Sequence, residues 1–269
     1  MSNPFEFDNR VSFDEHTYTV DGTCLDTSVS DVVKAAFCKN EFQPSLIIQE
    51  NLASWRGKPD SKYHNVVTGL DDEQAKSAIL KLWETETNKG TLLHKWAEFT
   101  ANGVAPYDTL QYMAKEQTQI LTGWSILSSK GLKIVRTEHS IFYPPTDPWV
   151  GGQIDFLMST ANGYTIVDLK RTDKDLGSNA KSYGRTGTGP MSAYPDNPHM
   201  RYSLQQSLYC VMLEALTGKS VNEMYLLQVH PSLSYPNLIP CTDLRTEAVA
   251  MLQTQNLPQI PGFEDSATH

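Results

Sequence analysis

The chain lacks the features that would mark a membrane, secreted or cluster-bearing protein. No apolar run approaches the roughly 18–20 residues that a bilayer-spanning helix needs. The opening Met1-Ser2-Asn3-Pro4-Phe5-Glu6-Phe7-Asp8 has neither the basic start nor the apolar stretch of a secretory signal, and no Arg-rich transit segment is present. An intracellular protein with no membrane partner is the expectation. The four cysteines, Cys24, Cys38, Cys210 and Cys241, are scattered without a CxxC pair. That spacing gives a zinc knuckle or an iron–sulfur cluster no support and favours reduced thiols. Positive charge is scarce too: 22 Lys and Arg stand against 31 Asp and Glu, a net charge of −9. Such a balance argues against a nonspecific nucleic-acid coat. It leaves room for a local basic strip, because salt screening cuts fields off beyond about 8–10 Å.

What is there reads as an ordinary globular chain of 269 residues, 39% hydrophobic and 20% charged, without repeats or low-complexity tracts. One domain spanning 1–269 is the simplest count. Residues 11–20 alternate apolar and polar positions and suggest a β-hairpin ending at Asp21-Gly22. Ser28 or Ser30 is placed to cap a helix through Val32, Val33 and Phe37. From about 44 to 130 the pattern is mainly helical. One helix starts at Asp71-Asp72-Glu73 and is expected to stop at Gly90; a second carries Leu93, His94, Trp96 and Glu98. A third covers roughly 108–129, with Leu110, Met113, Ile120, Leu121, Trp124 and Leu127, and is stopped by Gly131. After Gly131 the period falls to two, predicting strands at Lys133–Tyr143, Gln153–Ser159 and Tyr164–Lys170. A helix at about 200–216, a strand at Met224–Val229 and a short helix at Glu247–Gln255 follow, with a frayed tail from Pro258. This order predicts an α/β core with helical additions.

The chemistry concentrates in Gly151-Gly152-Gln153-Ile154-Asp155 and Val167-Asp168-Leu169-Lys170. Asn162-Gly163 between them signals a tight hairpin. A two-residue loop there sets Asp155 opposite Lys170, whereas a four-residue loop at 160–163 sets it opposite Asp168. Either register brings Asp155, Asp168 and Lys170 out on one face. Two carboxylates crowded on a mostly apolar hairpin repel, and a divalent cation such as Mg²⁺ or Mn²⁺ relieves the conflict. Lys170 could then position or deprotonate an attacking water and steady charge on a phosphorus. The competing reading is a hairpin in which Lys170 only neutralises the aspartates. Its apolar flanks, Ile154, Phe156, Ile166 and Val167, favour the functional one.

The run Gly-Gly-Gln-Ile-Asp to Val-Asp-Leu-Lys resembles the catalytic hairpin of the PD-(D/E)XK nucleases, in the RecB-like and phage-exonuclease branch. Gly90-Thr91-Leu92-Leu93-His94 resembles that branch's upstream Gly-Thr-x-x-His helix, and Gln205-Gln206-Ser207-Leu208-Tyr209 its Gln-x-x-x-Tyr helix. The match covers about residues 88–210, in the family's order. The opening hairpin with Ser28-Val29-Ser30 is also similar to the start of several viral and mitochondrial members. The resemblance implies a restriction-endonuclease-like core, a mixed central sheet flanked by helices, with an N-terminal hairpin and helical part over 1–130 and a catalytic core over 88–230. It implies DNA exonuclease activity at single-stranded or duplex ends, with an endonuclease on DNA or RNA, or a catalytically silent recombination partner, as alternatives. A bacterial cytoplasm or a virus-infected cell, or else an organelle, would be its setting.

Carried over by position, the resemblance implies Asp155, Asp168 and the Leu169 carbonyl as metal ligands, with His94 as a further ligand, to one or two ions. Glu138, on the preceding strand, and Gln205 join Lys170 in the catalytic set. Glu98, one turn after His94, could orient it or a water, or be a solvated helix charge. Clustered cysteines found in several RecB-like relatives are missing, so no iron–sulfur cluster is expected. Basic Lys170, Arg171, Lys174, Lys181, Arg185 and Arg201 outnumber Asp173, Asp175 and Asp196 over 170–201. Arg171, Lys174, Tyr183, Arg185 and Tyr209 are therefore expected to contact DNA. The Gly177–Pro198 stretch would cover a bound strand, with Tyr183 or Tyr194 stacking on bases, unless it is a disordered surface loop. A single-strand annealing or replication protein is a possible partner.

Overall fold

The computed structural model describes residues 5–14, 17–37, 43–104 and 112–254. The chain divides into two compact units, one of Met1–Lys39 with Trp96–His269, the other of Asn40–Lys95.

In the first unit a 3-10 turn at Glu6–Asn9 precedes β1 (Val11–Asp14), β2 (Thr17–Val20) and β3 (Thr23–Leu25), which form a small antiparallel meander. Asp21 and Gly22 link β2 to β3 with φ of 50° and 82°. Two successive positive φ values match the right-handed strand twist, so the Asp-Gly pair turns the chain rather than ending the hairpin. β4 (Thr27–Ser28) leads into α1 (Val29–Phe37). Ser28 caps this helix as one of the two candidates: its hydroxyl accepts from the Asp31 amide at 3.2 Å, while Asp31 accepts from the Ser28 amide at 3.0 Å.

The second unit contains α2 (Pro44–Gly57), α3 (His64–Val67) and most of the first part of α4 (Asp72–Ala101). Ile48, Leu52, Val67, Ala75 and Ile79 form its core. Asp71 caps α4, accepting from the Gln74 amide at 2.8 Å. The expected break at Gly90 does not occur, and α4 runs unbroken for 30 residues. A helix-interior glycine costs about 1 kcal/mol relative to alanine, too little to stop a helix with good residues on both sides.

α5 (Ala114–Ser129) follows; residues 108–111, including Leu110, lie outside the described residues. Then come β5 (Lys133–Tyr143), β6 (Val150–Thr160), β7 (Gly163–Arg171), α6 (Pro198–Thr217), β8 (Val221–Val229), β9 (Asn237–Pro240) and α7 (Arg245–Thr254). The expected tail from Pro258 and the end of the last helix at Gln255 fall outside the described residues. The large sheet runs β4-β6-β7-β8-β9, with β5 also paired to β6, and it is mixed: β7 and β8 are parallel, β5, β6 and β7 antiparallel. Helices lie on both faces. Gly123 of α5 approaches Leu227 so closely that a Cβ would fall 2.5 Å from its methyl, and Trp124 meets Phe156 edge-on. Leu204 and Leu208 of α6 share a core cluster with Ile166. The chain is thus a mixed α/β protein with a central sheet flanked by helices. No helix among the described residues is long and apolar enough to cross a membrane.

The 177–198 segment is packed rather than a loose surface loop. Met191 is fully buried in the main core, and Thr188 donates to the Ala36 carbonyl at 2.8 Å. Asn197 closes it by capping α6 through the Met200 amide.

Candidate metal-binding and catalytic site

The β6–β7 hairpin turns at Ala161-Asn162, with Thr160 opposite Gly163 and Phe156 opposite Val167. Continued by one pair, this register sets Asp155 opposite Asp168, the second of the two registers the sequence allowed. Gly163 is needed here because a Cβ would fall 2.4 Å from the Ser220 carbonyl oxygen. The ladder stops at Phe156–Val167, and the Asp155 side chain takes over: its Oδ2 accepts from the Leu169 amide at 2.7 Å. That bond fixes the carboxylate and leaves the second oxygen to point elsewhere. A strand residue projects its N–H and C=O to the same edge, so the Leu169 carbonyl lies on the Asp155 side as well.

On β5, Thr137 pairs with Phe156 and His139 with Ile154, so Glu138 faces Asp155 across the ladder. Glu138 has φ of 45°, a conformation costly for a residue with a side chain. Its carbonyl is held by Gln153 Nε2 at 3.1 Å. Next to it, His139 points into a pocket of Phe5 and Phe7 rings, and burial, then Arg136, lowers its pKa to about 4.

The carboxylate oxygens of Glu138 and Asp155 lie within 4.8 Å of one another, both residues half-buried. Two carboxylate oxygens at that separation suit a divalent cation such as Mn²⁺ or Mg²⁺. His94, expected as a further ligand, is half-buried on α4 within the second unit. Glu98 of α4 is half-buried as well.

Asp168, buried on β7, is paired with Lys170 Nζ at 2.7 Å. Burial works against the Lys170 ammonium. The Asp168 and Asp155 carboxylates outweigh it and raise its pKa above the usual lysine value. That shift favours the charged ammonium, a hydrogen-bond donor. Tyr202 of α6 lies under the ammonium, 4.7 Å from ring centroid to Nζ. Gln205 donates to the Tyr209 hydroxyl at 3.1 Å, and burial, then Tyr18 and Asp168, raises the Tyr209 pKa. The motif glutamine and tyrosine thus bond to each other along α6.

Other expected contacts lie apart. Arg171 is buried and bonded to Glu116 of α5 at 3.0 Å, so it ties β7 to a helix instead of facing a ligand. Tyr194 packs against the core and donates to Glu247 at 2.8 Å, which removes it as a base-stacking side chain. Tyr183, 80% exposed, Lys174 and Arg185 stay on the surface. Sequence reasoning missed Tyr18 and Tyr202. Gly151-Gly152 was the available signal: a Cβ on Gly151 would lie 2.4 Å from the Tyr18 ring, and one on Gly152 2.6 Å from the Tyr209 ring.

No family model matches the chain, and no curated protein matches it. Among solved structures it is similar to SSO0001, with a TM-score of 0.34 and 12% identity over 84% of this chain and 72% of that one. It is also similar to a protein of Eubacterium rectale named as a candidate exonuclease, with a TM-score of 0.36 and 15% identity over 87% and 79%. Likenesses this remote carry no argument about activity.

Proposed function

We propose that this chain is a metal-dependent nuclease that hydrolyses phosphodiester bonds in DNA, of the PD-(D/E)XK type, working as an exonuclease on single-stranded or duplex ends. The observation that carries this reading is the crowding of the Glu138 and Asp155 carboxylates within 4.8 Å, together with the 2.7 Å Asp168–Lys170 pair. Crowded carboxylates are expensive unless a cation stands between them. Their hard oxygens accept Mg²⁺ or Mn²⁺, and the imidazole tilts the preference toward Mn²⁺. Glu138 and Asp155 would hold the ion, with Asp168 and the Leu169 carbonyl adjoining and His94 as the further ligand that the resemblance implies. A bound cation supplies Lewis-acid polarisation of a phosphoryl oxygen and a water acidic enough to attack at neutral pH.

The chain's own residues do the rest. Asp155 is fixed by the Leu169 amide, so its other carboxylate oxygen keeps one direction. Lys170, held charged by Asp168, donates to the attacking water or to a non-bridging phosphate oxygen and stabilises charge that grows there. Gln205 and Tyr209 orient each other at the wall of the site. Exposed Lys174 and Arg185 supply phosphate contacts along the strand.

The test is digestion of end-labelled single- and double-stranded DNA, with circular controls, in Mg²⁺, Mn²⁺ and EDTA. Linear DNA is shortened from its ends in either ion and left intact in EDTA. Cutting of circles would displace the exonuclease reading; metal-independent cutting, or none, would overturn the nuclease reading.

A further inference from the structure

The packed segment between β7 and α6 carries one large side chain that the fold does not use. Tyr183 is 80% exposed, and among the described residues it makes no hydrogen bond and no ring contact. Its backbone is nevertheless strained: φ is 54°, and Gly184 follows at 74°. The Arg185 amide donates to the Ser182 carbonyl at 3.1 Å, which closes a tight turn of the I′ kind around the pair. Gly, Asn or Asp ordinarily fills the first central position of such a turn. A tyrosine there is disfavoured, because its Cβ crowds the following carbonyl. The base of the turn is clamped as well. Asn197 Nδ2 donates to the buried Ala180 carbonyl at 2.8 Å, and the Asp196 amide donates to the Arg185 carbonyl at 2.8 Å. Residues 181–184 therefore project from a fixed frame with the ring at the tip. Lys181 and Arg185, both exposed, flank it two residues away on either side, and residues 176–195 hold no Asp or Glu. Asp196 pairs with Arg201 at 2.6 Å but with Arg185 only at 4.0 Å, and the Arg185 side chain stays 64% exposed.

We infer that this turn is a docking site for single-stranded DNA, in which an unpaired base stacks on the Tyr183 ring while Lys181 and Arg185 contact phosphates on either side. This rests on the nuclease reading and names the form of DNA it takes. Strain that brings no contact in the free protein persists where a ligand makes use of it. An aromatic face between two cations matches a single strand, whose bases offer π-faces of any sequence and whose phosphates are anionic. A ring already held in place loses little freedom when a base settles on it. In an intact duplex the bases stack on one another and leave the ring no face. The plain alternative is a surface turn whose tyrosine is incidental.

The experiment measures equilibrium binding to the full chain carrying Asp168→Asn, which leaves DNA intact. Three probes are compared: a single-stranded oligonucleotide, an abasic strand of the same length, and a blunt duplex. Adding Tyr183→Asn is expected to weaken the single strand about tenfold and to leave the other two nearly unchanged. Tyr183→Trp should keep the wild-type affinity. Lys181→Ala and Arg185→Ala should weaken the single strand and the abasic strand alike. Asparagine accepts the left-handed turn, so Tyr183→Asn should also raise the melting temperature, whereas a tyrosine kept for the fold alone would lower it on removal. Unchanged single-strand affinity in Tyr183→Asn, or an equal loss on the abasic strand or the duplex, would overturn the docking site. The nuclease reading would still stand if the wild type shortened linear DNA in Mn²⁺. A wild type that cut nothing yet showed this binding pattern would lose the nuclease reading and keep the docking site.

Discussion

Glu138 occupies backbone that a glutamate avoids, with φ of 45° in the middle of a strand. The left-handed region costs a side-chain-bearing residue about 1–2 kcal/mol, and such strain persists where the surroundings enforce it. Here the Gln153 bond to its carbonyl and the pairing on either side supply that enforcement. Glycine is free of the penalty, so Glu138→Gly is expected to be more stable than Glu138→Ala by about 1 kcal/mol, and both should lose metal-dependent activity. Urea denaturation of the two variants checks the first part and Mn²⁺ titration of activity the second. Asp168→Asn and Lys170→Ala are each expected to lower kcat by at least about 100-fold, because in the proposed reaction Lys170 stabilises charge on the phosphate and Asp168 holds Lys170 charged and in place. Circular dichroism should show both still folded. A variant keeping wild-type kcat would remove that residue from the catalytic set.

At the scale of elements, the site depends on how strands begin and end rather than on their middles. β6 and β7 part after Phe156–Val167, and the amide left over at Leu169 becomes the anchor of Asp155. An unpaired buried amide would be costly, so the carboxylate satisfies the backbone and is itself held still. α1 shows the same economy at its start. The Asp31 carboxyl is partly desolvated, but hydrogen bonds from the Ser28 hydroxyl and amide and from Lys34 outweigh that, and its pKa lies below the ordinary aspartate value. A depressed folded-state pKa means that the stabilisation is complete above the unfolded-state pKa. It is lost as the pH falls through the folded-state value. Asp31→Asn should therefore destabilise the protein at pH 7 and much less near pH 3. Melting temperatures of the variant and wild type at the two pH values test this, and a pH-independent difference would count against the cap.

Over the whole molecule, the −9 charge does not decide where DNA would bind. Arg171, the last residue of β7, is buried against Glu116, so it adds little to the surface field. Removing either partner of such a pair strands a buried charge at about 3–5 kcal/mol, which marks it as part of the frame. Lys174 and Arg185 remain exposed on the packed 172–197 segment. Substituting each with alanine should weaken DNA affinity uniformly across sequences. It should also reduce the slope of log K against log salt by about 0.7 per contact on a single strand. Binding measured at several salt concentrations with Asp168→Asn, which leaves the strand uncut, reads this directly; an unchanged slope would clear both residues of phosphate contact.

Period-two and period-3.6 patterning determined β5, β6, β7, α6 and β8 from sequence alone, because burial on one face repeats with the geometry of each element. The Asp155–Asp168–Lys170 grouping was legible for the same reason, since neighbours two apart on a strand share a face. Only tertiary structure decided that Asp155 stands opposite Asp168, that Arg171 is spoken for by Glu116, and that Tyr18 packs on Gly151 from more than a hundred residues away. Those outcomes turn on how strands pair and on which side chain reaches a given charge first. Local periodicity carries no information about either.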